Sequence, residues 1–136
     1  MRLLVVDDDP GIASLLLVNF RRYGYVIECA ADGRTAVQRL RTTTYSAVLL
    51  DLMLPELTGF EVLRDVKSFA PDLMGRIIVL TAASLTTLAD FDQSEVYKLI
   101  RKPFDLNELT EAVLSLSAST PPGSVPSGER RAVNAK

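Results

Sequence analysis

The chain alternates short runs of large apolar residues with longer stretches in which apolar and polar residues are mixed. The runs are too short for helices of typical length and too apolar for loops, so they indicate β-strands. The run that ends at Pro55 is typical of a strand buried on both faces of a parallel sheet, except that it holds one carboxylate, that of Asp51. The predicted strands are 3–6, 25–30, 48–55, 77–81 and 96–101.

The stretches between the predicted strands repeat apolar residues at the spacing of an α-helix. The first stretch follows Pro10, which suits the opening turn of a helix, and it stops at Gly24. Its mostly apolar stripe includes Leu15, Phe20 and Tyr23. The other predicted helices are a short one through 36–40, one over 59–70, one within 84–95 and one from 106 to 116.

The order of these elements predicts the architecture. Strands that alternate with helices favour a parallel sheet with helices on both faces. The last helix follows Asp105, which together with Glu108 resembles a capping box. From Ala118 onward, prolines, glycines and serines replace the apolar period, which is typical of a disordered segment. We therefore expect one α/β domain over residues 1–117 and a disordered tail over 118–136.

The composition narrows the class of protein. The chain has 136 residues, 48% of them hydrophobic, and its net charge of −2 gives no argument for a nucleic-acid partner, which would need a basic face. One cysteine, Cys29, and no histidine exclude an internal disulfide, histidine-based triads and histidine metal ligands. No apolar stretch reaches the roughly 18 residues of a membrane helix, and the N-terminus does not resemble a signal peptide. These features predict a cytoplasmic protein.

Burial of the Asp51 carboxylate in the predicted strand carries a cost in free energy. A carboxylate in a buried strand costs several kcal/mol unless it is paired or bound to a cation. Two interpretations follow. Asp51 is either a structural cap at the end of its strand or a working group at the carboxyl edge of the sheet.

Polar residues also end or follow three other predicted strands: Asp7 and Asp8 after the first, Thr81 in the fourth and Lys102 after the fifth. Ligands of open parallel sheets bind beyond the carboxyl ends of the strands. Three neighbouring carboxylates repel one another unless a divalent cation lies among them, and oxygen ligands suit Mg²⁺. Lys102 and Thr81 add an ammonium and a hydroxyl suited to a phosphoryl group, for which Asp51 is a candidate nucleophile.

Each of these residues has a plainer interpretation when taken singly. Asp7 and Asp8 would cap the first helix, Thr81 would end a strand and Lys102 would be a surface lysine. Only the ordered set favours a phosphoryl site, and we expect Asp9 to be the helix cap.

The ordered set resembles the motifs of the receiver domain of two-component response regulators. The resemblance implies a flavodoxin-like fold, a doubly wound five-stranded parallel sheet in strand order 2-1-3-4-5 with five helices. It also implies a cis peptide bond between Lys102 and Pro103. The resemblance covers residues 2 to about 116 and rests on Leu4–Asp9, Leu50–Pro55, Gly59–Glu61, Leu80–Ala82 and Lys102–Phe104.

The resemblance implies that Asp51 accepts a phosphoryl group from a phosphohistidine on a sensor histidine kinase or a histidine phosphotransfer protein. It implies that Asp8, Asp51 and the backbone carbonyl of Met53 bind Mg²⁺ directly, whereas Asp7 acts mainly through a bound water. Lys102 would pair with the phosphoryl oxygens.

The resemblance also implies how the signal leaves the site. Thr81 would turn towards phosphorylated Asp51 beside the small Ala82, and the face of helix four, strand five and helix five would then favour a different partner. We expect a stand-alone phosphorelay protein that signals through protein contacts. It would promote only its own phosphorylation and dephosphorylation and would not otherwise be an enzyme. Homodimerisation stays open.

Two departures from the family motivate an alternative, of which the first is a slightly shortened segment between Thr81 and Lys102. The second is Leu99, which stands where the family usually has an aromatic residue, three positions before the lysine. The alternative is a receiver-like interaction module that works without phosphorylation. A phosphatase is disfavoured because such enzymes need a second acid two residues after the nucleophile, where Met53 stands. A dinucleotide-binding or nucleotide-hydrolysing domain is disfavoured as well, because no glycine-rich phosphate loop follows any predicted strand.

Overall fold

The computed structural model describes residues 1–118 and contains one five-stranded sheet. The strands are β1 Arg2–Val6, β2 Val26–Ala30, β3 Ala47–Leu50, β4 Ile77–Thr81 and β5 Lys98–Arg101. They lie in the order β2-β1-β3-β4-β5, and every neighbouring pair is parallel. The predicted architecture and strand order are therefore confirmed.

Residues 1–118 also form five α-helices and two short 3-10 helices, and all of them except the last α-helix lie between strands. The α-helices are α1 Pro10–Arg21, α2 Gly33–Thr42, α3 Gly59–Phe69, α4 Leu85–Leu88 and α5 Leu106–Ala118, and the 3-10 helices are Pro71–Arg76 and Gln93–Glu95. None of these described helices is long and apolar enough to cross a bilayer.

Side-chain caps fix where the helices begin. Asp9, Asp32 and Thr58 each accept a hydrogen bond from a backbone N–H in the first turn of α1, α2 and α3, which otherwise has no partner. At α3 the bond is reciprocal, because Glu61 accepts from the N–H of Thr58. The predicted cap at Asp9 is confirmed, and α3 starts directly after the loop that carries Asp51.

The core lies in two layers, one on each face of the sheet. Successive strand residues point to opposite faces, so Leu4 and Val6 of β1 pack on one face while Leu3 and Val5 pack on the other. The first face is covered by α2 and α3 and the second by α1 and α5. The central strands β1, β3 and β4 are thereby buried on both faces, and the carboxyl ends of all five strands lie at one edge.

Three predicted boundaries were wrong. The strand predicted over 48–55 ends at Leu50, because Leu52 and Leu54 are buried by the following loop rather than by the sheet. The helix predicted within 84–95 is a single turn, since Thr86 and Thr87 are weak helix formers and Asp92 caps a separate 3-10 turn. Strand β5 begins at Lys98 rather than at residue 96.

Two further predictions need adjustment. The stripe predicted for α1 is only partly buried, because Leu15 and Tyr23 are exposed while Phe20 lies in the core. Asp105 accepts hydrogen bonds from the N–H groups of residues 107 and 108, which is one half of the predicted capping box. The carboxylate of Glu108, which would form the other half, lies 3.7 Å from the Lys98 ammonium. Ala118, which was assigned to the tail, ends α5, and residues 119–136 of the predicted tail lie outside the described residues.

Candidate functional site

Asp7 and Asp51 leave the sheet side by side. Val6 of β1 pairs with Leu50 of β3, so the residues that follow them are neighbours at the carboxyl edge. The N–H of Asp51 donates to the carbonyl of Val6 over 2.9 Å, which continues the sheet pairing by one residue. Both side chains are buried, with only 6% of Asp7 and 5% of Asp51 exposed. The strand register therefore produces a pair of buried carboxylates at the edge where the sequence predicted that Asp7 and Asp51 would meet.

Backbone N–H groups hold one oxygen of each buried carboxylate. Oδ1 of Asp7 accepts from the N–H of Asp9 at 2.9 Å, and Oδ1 of Asp51 accepts from the N–H of Met53 at 3.0 Å. Each bond comes from the residue two positions further along the chain, so the turn after each strand orients its own carboxylate. The other oxygen, Oδ2, of each side chain faces Lys102.

Lys102 bridges the two carboxylates. Its Nζ lies 2.9 Å from Oδ2 of Asp7 and 3.2 Å from Oδ2 of Asp51. Partial burial alone would lower the pKa of Lys102, but the hydrogen bond to Asp7 and the negative charge of Asp51 outweigh it, so the pKa is raised. The side chain is therefore a charged ammonium at neutral pH. The expected cis peptide bond between Lys102 and Pro103 is present.

A third carboxylate, that of Asp8, completes an acidic cluster with Asp7 and Asp51. Each residue offers an oxygen, and these oxygens lie within 4.8 Å of one another. Asp8 is exposed, so the cluster is open to solvent on one side. Three carboxylates against one ammonium leave a net negative charge, and a hard divalent cation prefers an all-oxygen set. The residues present therefore fit Mg²⁺.

Thr81 ends β4 at the same edge of the sheet and is fully buried. Its hydroxyl oxygen accepts from the N–H of Ala83 at 3.1 Å, while its backbone carbonyl accepts from the N–H of Lys102 at 2.8 Å. Met53 lies in the loop after Asp51, with its side chain half exposed. The structure thus brings Asp7, Asp51 and Lys102 into direct contact and places Thr81 and Met53 beside them.

Gly59 contributes to the site in a way that the sequence alone does not show. Gly59 donates its N–H to the carbonyl of Leu52 at 3.0 Å, and a Cβ built on it would lie 2.4 Å from the carbonyl oxygen of Asp51. Only glycine allows helix α3 to approach the Asp51 backbone so closely. The spacing of eight residues between Asp51 and Gly59 is visible in the sequence, but the close approach is not.

Comparison with known proteins gives a consistent picture. The model of the response regulator receiver domain family matches residues 3–114. The response regulator MprA of Mycolicibacterium vanbaalenii is 37% identical over 124 residues, which cover 90% of this chain and 52% of MprA. The transcriptional regulatory protein TcrA of Mycobacterium tuberculosis is 37% identical over 126 residues, covering 89% of this chain and 47% of TcrA. The chain thus spans about half the length of these curated relatives.

Solved structures include similar chains with relevant ligands and partners. The response regulator TrrA of Thermotoga maritima, in complex with Mg²⁺–BeF, superposes with a TM-score of 0.74 at 34% identity, covering 85% of this chain and 97% of TrrA. TrrA has also been solved in complex with the histidine kinase ThkA, with a TM-score of 0.73 and the same identity and coverage. The receiver domain of a Pseudomonas aeruginosa sensor histidine kinase, with magnesium in its active-site cleft, gives 0.77 at 28% identity, covering 87% and 98%.

Proposed function

Because the chain belongs to the receiver domain family of response regulators, we propose that it accepts a phosphoryl group on Asp51 from a phosphohistidine of a histidine kinase or a histidine phosphotransfer protein. The observation that carries the proposal is the contact of Lys102 with both Asp7 and Asp51 at the carboxyl edge of the sheet. A carboxylate beside a fixed ammonium is a nucleophile whose neighbour already suits the incoming phosphoryl oxygens.

The proposed transfer needs few protein groups. An oxygen of Asp51 attacks the phosphorus, the bond from phosphorus to the donor nitrogen breaks, and the donor histidine keeps the electron pair and regains a proton. The N–H of Met53 orients the Asp51 carboxylate for this attack through its 3.0 Å hydrogen bond. Only 5% of Asp51 is exposed, which limits the access of water to its carboxylate.

We propose that Mg²⁺ is held by Asp8, Asp51 and the backbone carbonyl of Met53, with Asp7 acting through a bound water. When bound, the ion neutralises charge on the acidic cluster and on the phosphoryl oxygens. The oxygen-only cluster of this chain supports the assignment. TrrA, a relative at 34% identity, has been solved with Mg²⁺–BeF.

Phosphorylation would change the partners of Lys102 and Thr81. The Lys102 ammonium would exchange its contact with Asp51 for the phosphoryl oxygens and keep its contact with Asp7. The Thr81 hydroxyl would leave the N–H of Ala83 and donate to a phosphoryl oxygen. Both side chains stand at strand ends next to β5, so their rearrangement is proposed to alter the α4–β5–α5 face that meets a downstream protein.

The proposed role is that of a switch rather than of an enzyme with a separate substrate. The chain would promote only its own phosphorylation and hydrolysis, in the cytoplasm, where a histidine kinase presents its phosphohistidine. The stand-alone arrangement and the use of protein contacts as output stay predictions.

Exposure of the protein to a small phosphodonor with Mg²⁺, followed by intact-mass measurement, tests the acceptor. We expect the mass of one phosphoryl group to be added to the wild type and to Asp72→Asn, a matched change at an exposed aspartate. We expect no addition to Asp51→Asn. Addition to Asp51→Asn, or none to the wild type, would contradict the proposal.

The second candidate function is a phosphorylation-independent interaction module, and Leu99 is the observation that favours it. Leu99 lies on β5, partly buried against the core face that α2 and α3 cover, where an aromatic switch is usual in the family. Equal binding of a captured partner by unmodified protein and by protein treated with beryllofluoride and Mg²⁺ would favour this candidate. A difference that Asp51→Asn abolishes would favour the phosphoacceptor.

A further inference from the structure

The Asp51 loop, defined as residues 51–58 between β3 and α3, contacts the first residues of two helices. A Cβ built on Gly33, the first residue of α2, would lie 2.1 Å from the carbonyl oxygen of Leu57 and 3.0 Å from its carbonyl carbon. A Cβ built on Gly59, the first residue of α3, would lie 2.4 Å from the carbonyl oxygen of Asp51. Both contacts are with backbone, which cannot turn aside as a flexible side chain can. The loop therefore has a close contact between backbone and helix near each of its two ends.

Helix α2 is the less yielding side of the Gly33 contact. Asp32 caps the helix by accepting from the N–H of Thr35 at 2.7 Å and from its hydroxyl at 3.1 Å. One turn later Ala36 is fully buried, and Leu40 is 6% exposed in the same core layer. A methyl group added at Gly33 would therefore be accommodated mainly by movement of the loop backbone at Leu57.

We expect a displacement of the backbone at Leu57 to be transmitted along the loop to Asp51. Leu52 and Leu54 are buried and anchor the loop in the core. The N–H of Gly59 holds the carbonyl of Leu52, and the N–H of Met53 holds Oδ1 of Asp51. The chain from Leu57 back to Asp51 is thus a short tethered segment rather than a free loop.

We propose that Gly33 is a positioning residue for Asp51: by allowing α2 to pack directly against the Leu57 backbone, it fixes the loop that presents the Asp51 carboxylate and the Met53 backbone. Gly33 touches no group of the acidic cluster and acts only through the loop. The consequence for reaction rests on the proposed phosphoacceptor function, whereas the consequence for loop geometry does not.

The test compares Gly33→Ala with Gly75→Ala in the full chain, because a Cβ at Gly75 meets nothing within 4 Å. The first readout is the amide resonance of Met53 in metal-free protein, which reports the hydrogen bond to Asp51. The second is the dissociation constant for Mg²⁺, titrated as the metal alone. The third is the rate of phosphorylation by a small phosphodonor, for which displacement of the acceptor by a fraction of an ångström predicts a roughly ten- to hundredfold loss.

We expect Gly33→Ala to shift the Met53 resonance, weaken Mg²⁺ binding several-fold and slow phosphorylation, while Gly75→Ala matches the wild type. A folded Gly33→Ala protein whose Met53 resonance and Mg²⁺ affinity equal those of the wild type overturns the inference. A loss of thermal stability alone, with both readouts unchanged, does so as well, because it shows a merely structural role.

Two outcomes separate this inference from the proposed function. If the wild type is not phosphorylated but Gly33→Ala shifts the Met53 resonance, the proposed function fails and the positioning role stands. If Gly33→Ala does not fold, Leu57→Gly is the second variant: it removes the Cβ that lies beside Gly33 and gives the loop backbone at this contact more conformational freedom. An unchanged Met53 resonance in folded Leu57→Gly then overturns the inference.

Discussion

Lys102 is a largely buried ammonium that contacts two buried carboxylates. Its side chain is only 15% exposed, and the two carboxylates it contacts are less exposed still. Removing one member of a buried ion pair leaves an uncompensated charge, which costs more than the pair itself contributes. In the absence of a divalent cation, Lys102 is therefore the main counter-charge of Asp7 and Asp51.

We predict that Lys102→Met destabilises the cation-free protein by roughly 2–4 kcal/mol, somewhat below the cost of breaking a fully buried pair. Lys67→Met is the matched control, because the ion pair of Lys67 with Glu95 is exposed and such pairs contribute about 1 kcal/mol or less. Urea denaturation in the presence of a chelator measures both variants. Equal losses in the two would show that Lys102 does not compensate the carboxylates.

Glu28 forms a second polar cluster, away from the site. Its carboxylate accepts from the hydroxyl of Tyr45 at 2.6 Å and from Arg39 at 3.1 Å, and it also pairs with Arg2. The Tyr45 hydrogen bond is the largest cause that lowers the pKa of Glu28 from its ordinary value of 4.5, and the two arginines add to it against partial burial. The charged form is thus favoured in the folded protein.

We predict that Glu28→Gln flattens the acid limb of the stability curve. Because the folded pKa is below the unfolded value, the contribution of Glu28 is present above about pH 4.5 and is lost as the pH falls through the folded pKa. The variant should be less stable than the wild type at neutral pH, and the difference should shrink below pH 4.5. Urea midpoints across this range measure it, with the exposed Glu111→Gln as the control. A difference that is constant with pH would contradict the prediction.

Among the elements, α4 is the weakest. It comprises four residues, Leu85–Leu88, and depends on the Ser84 cap and on burial of Leu88. Helices of this length are not stable by themselves, since nucleation is costly and few hydrogen bonds follow it. The segment after α4 is tied to α3 by the edge-to-face contact of Phe60 and Phe91.

We predict that the amides of α4 exchange with solvent far faster than those of α3. Local opening of α4 breaks few contacts, whereas α3 buries Val62, Leu63 and Val66 and would open only with most of the core. Hydrogen exchange resolved by residue measures the difference. Comparable protection in the two helices would mean that tertiary contacts stabilise α4 more than its length suggests.

The sequence predicted the sheet well because apolar runs indicate burial. It also placed Asp7, Asp51, Thr81 and Lys102 at one edge of the sheet, because each ends or follows a strand. The prediction failed where a buried apolar residue lies in a loop rather than in a strand. Leu52 is apolar because the loop packs into the core, so periodicity extended β3 too far. The close approaches of helix to loop leave no apolar pattern, because a glycine shows only that a side chain is missing.

At the scale of the whole molecule, the acidic cluster exists only in the folded state. A ligand that binds the folded state alone stabilises it, by about 2.7 kcal/mol at a hundredfold excess over its dissociation constant. We predict that Mg²⁺ raises the thermal unfolding temperature relative to chelator, that Asp51→Asn reduces this gain, and that Asp72→Asn preserves it. An unfolding temperature that does not respond to Mg²⁺ would contradict the proposed metal site.

The contact between Lys102 and Asp7 joins residues 95 positions apart in the chain. During synthesis the ammonium beside Asp51 follows it by 51 residues. A nascent chain that has not yet released Lys102 from the ribosome carries the Asp51 carboxylate without its counter-charge and without a complete β5. Under the proposed function, the carboxylate would therefore become a competent acceptor only when β5 closes the sheet, and partial products that end before Lys102 would not accept a phosphoryl group.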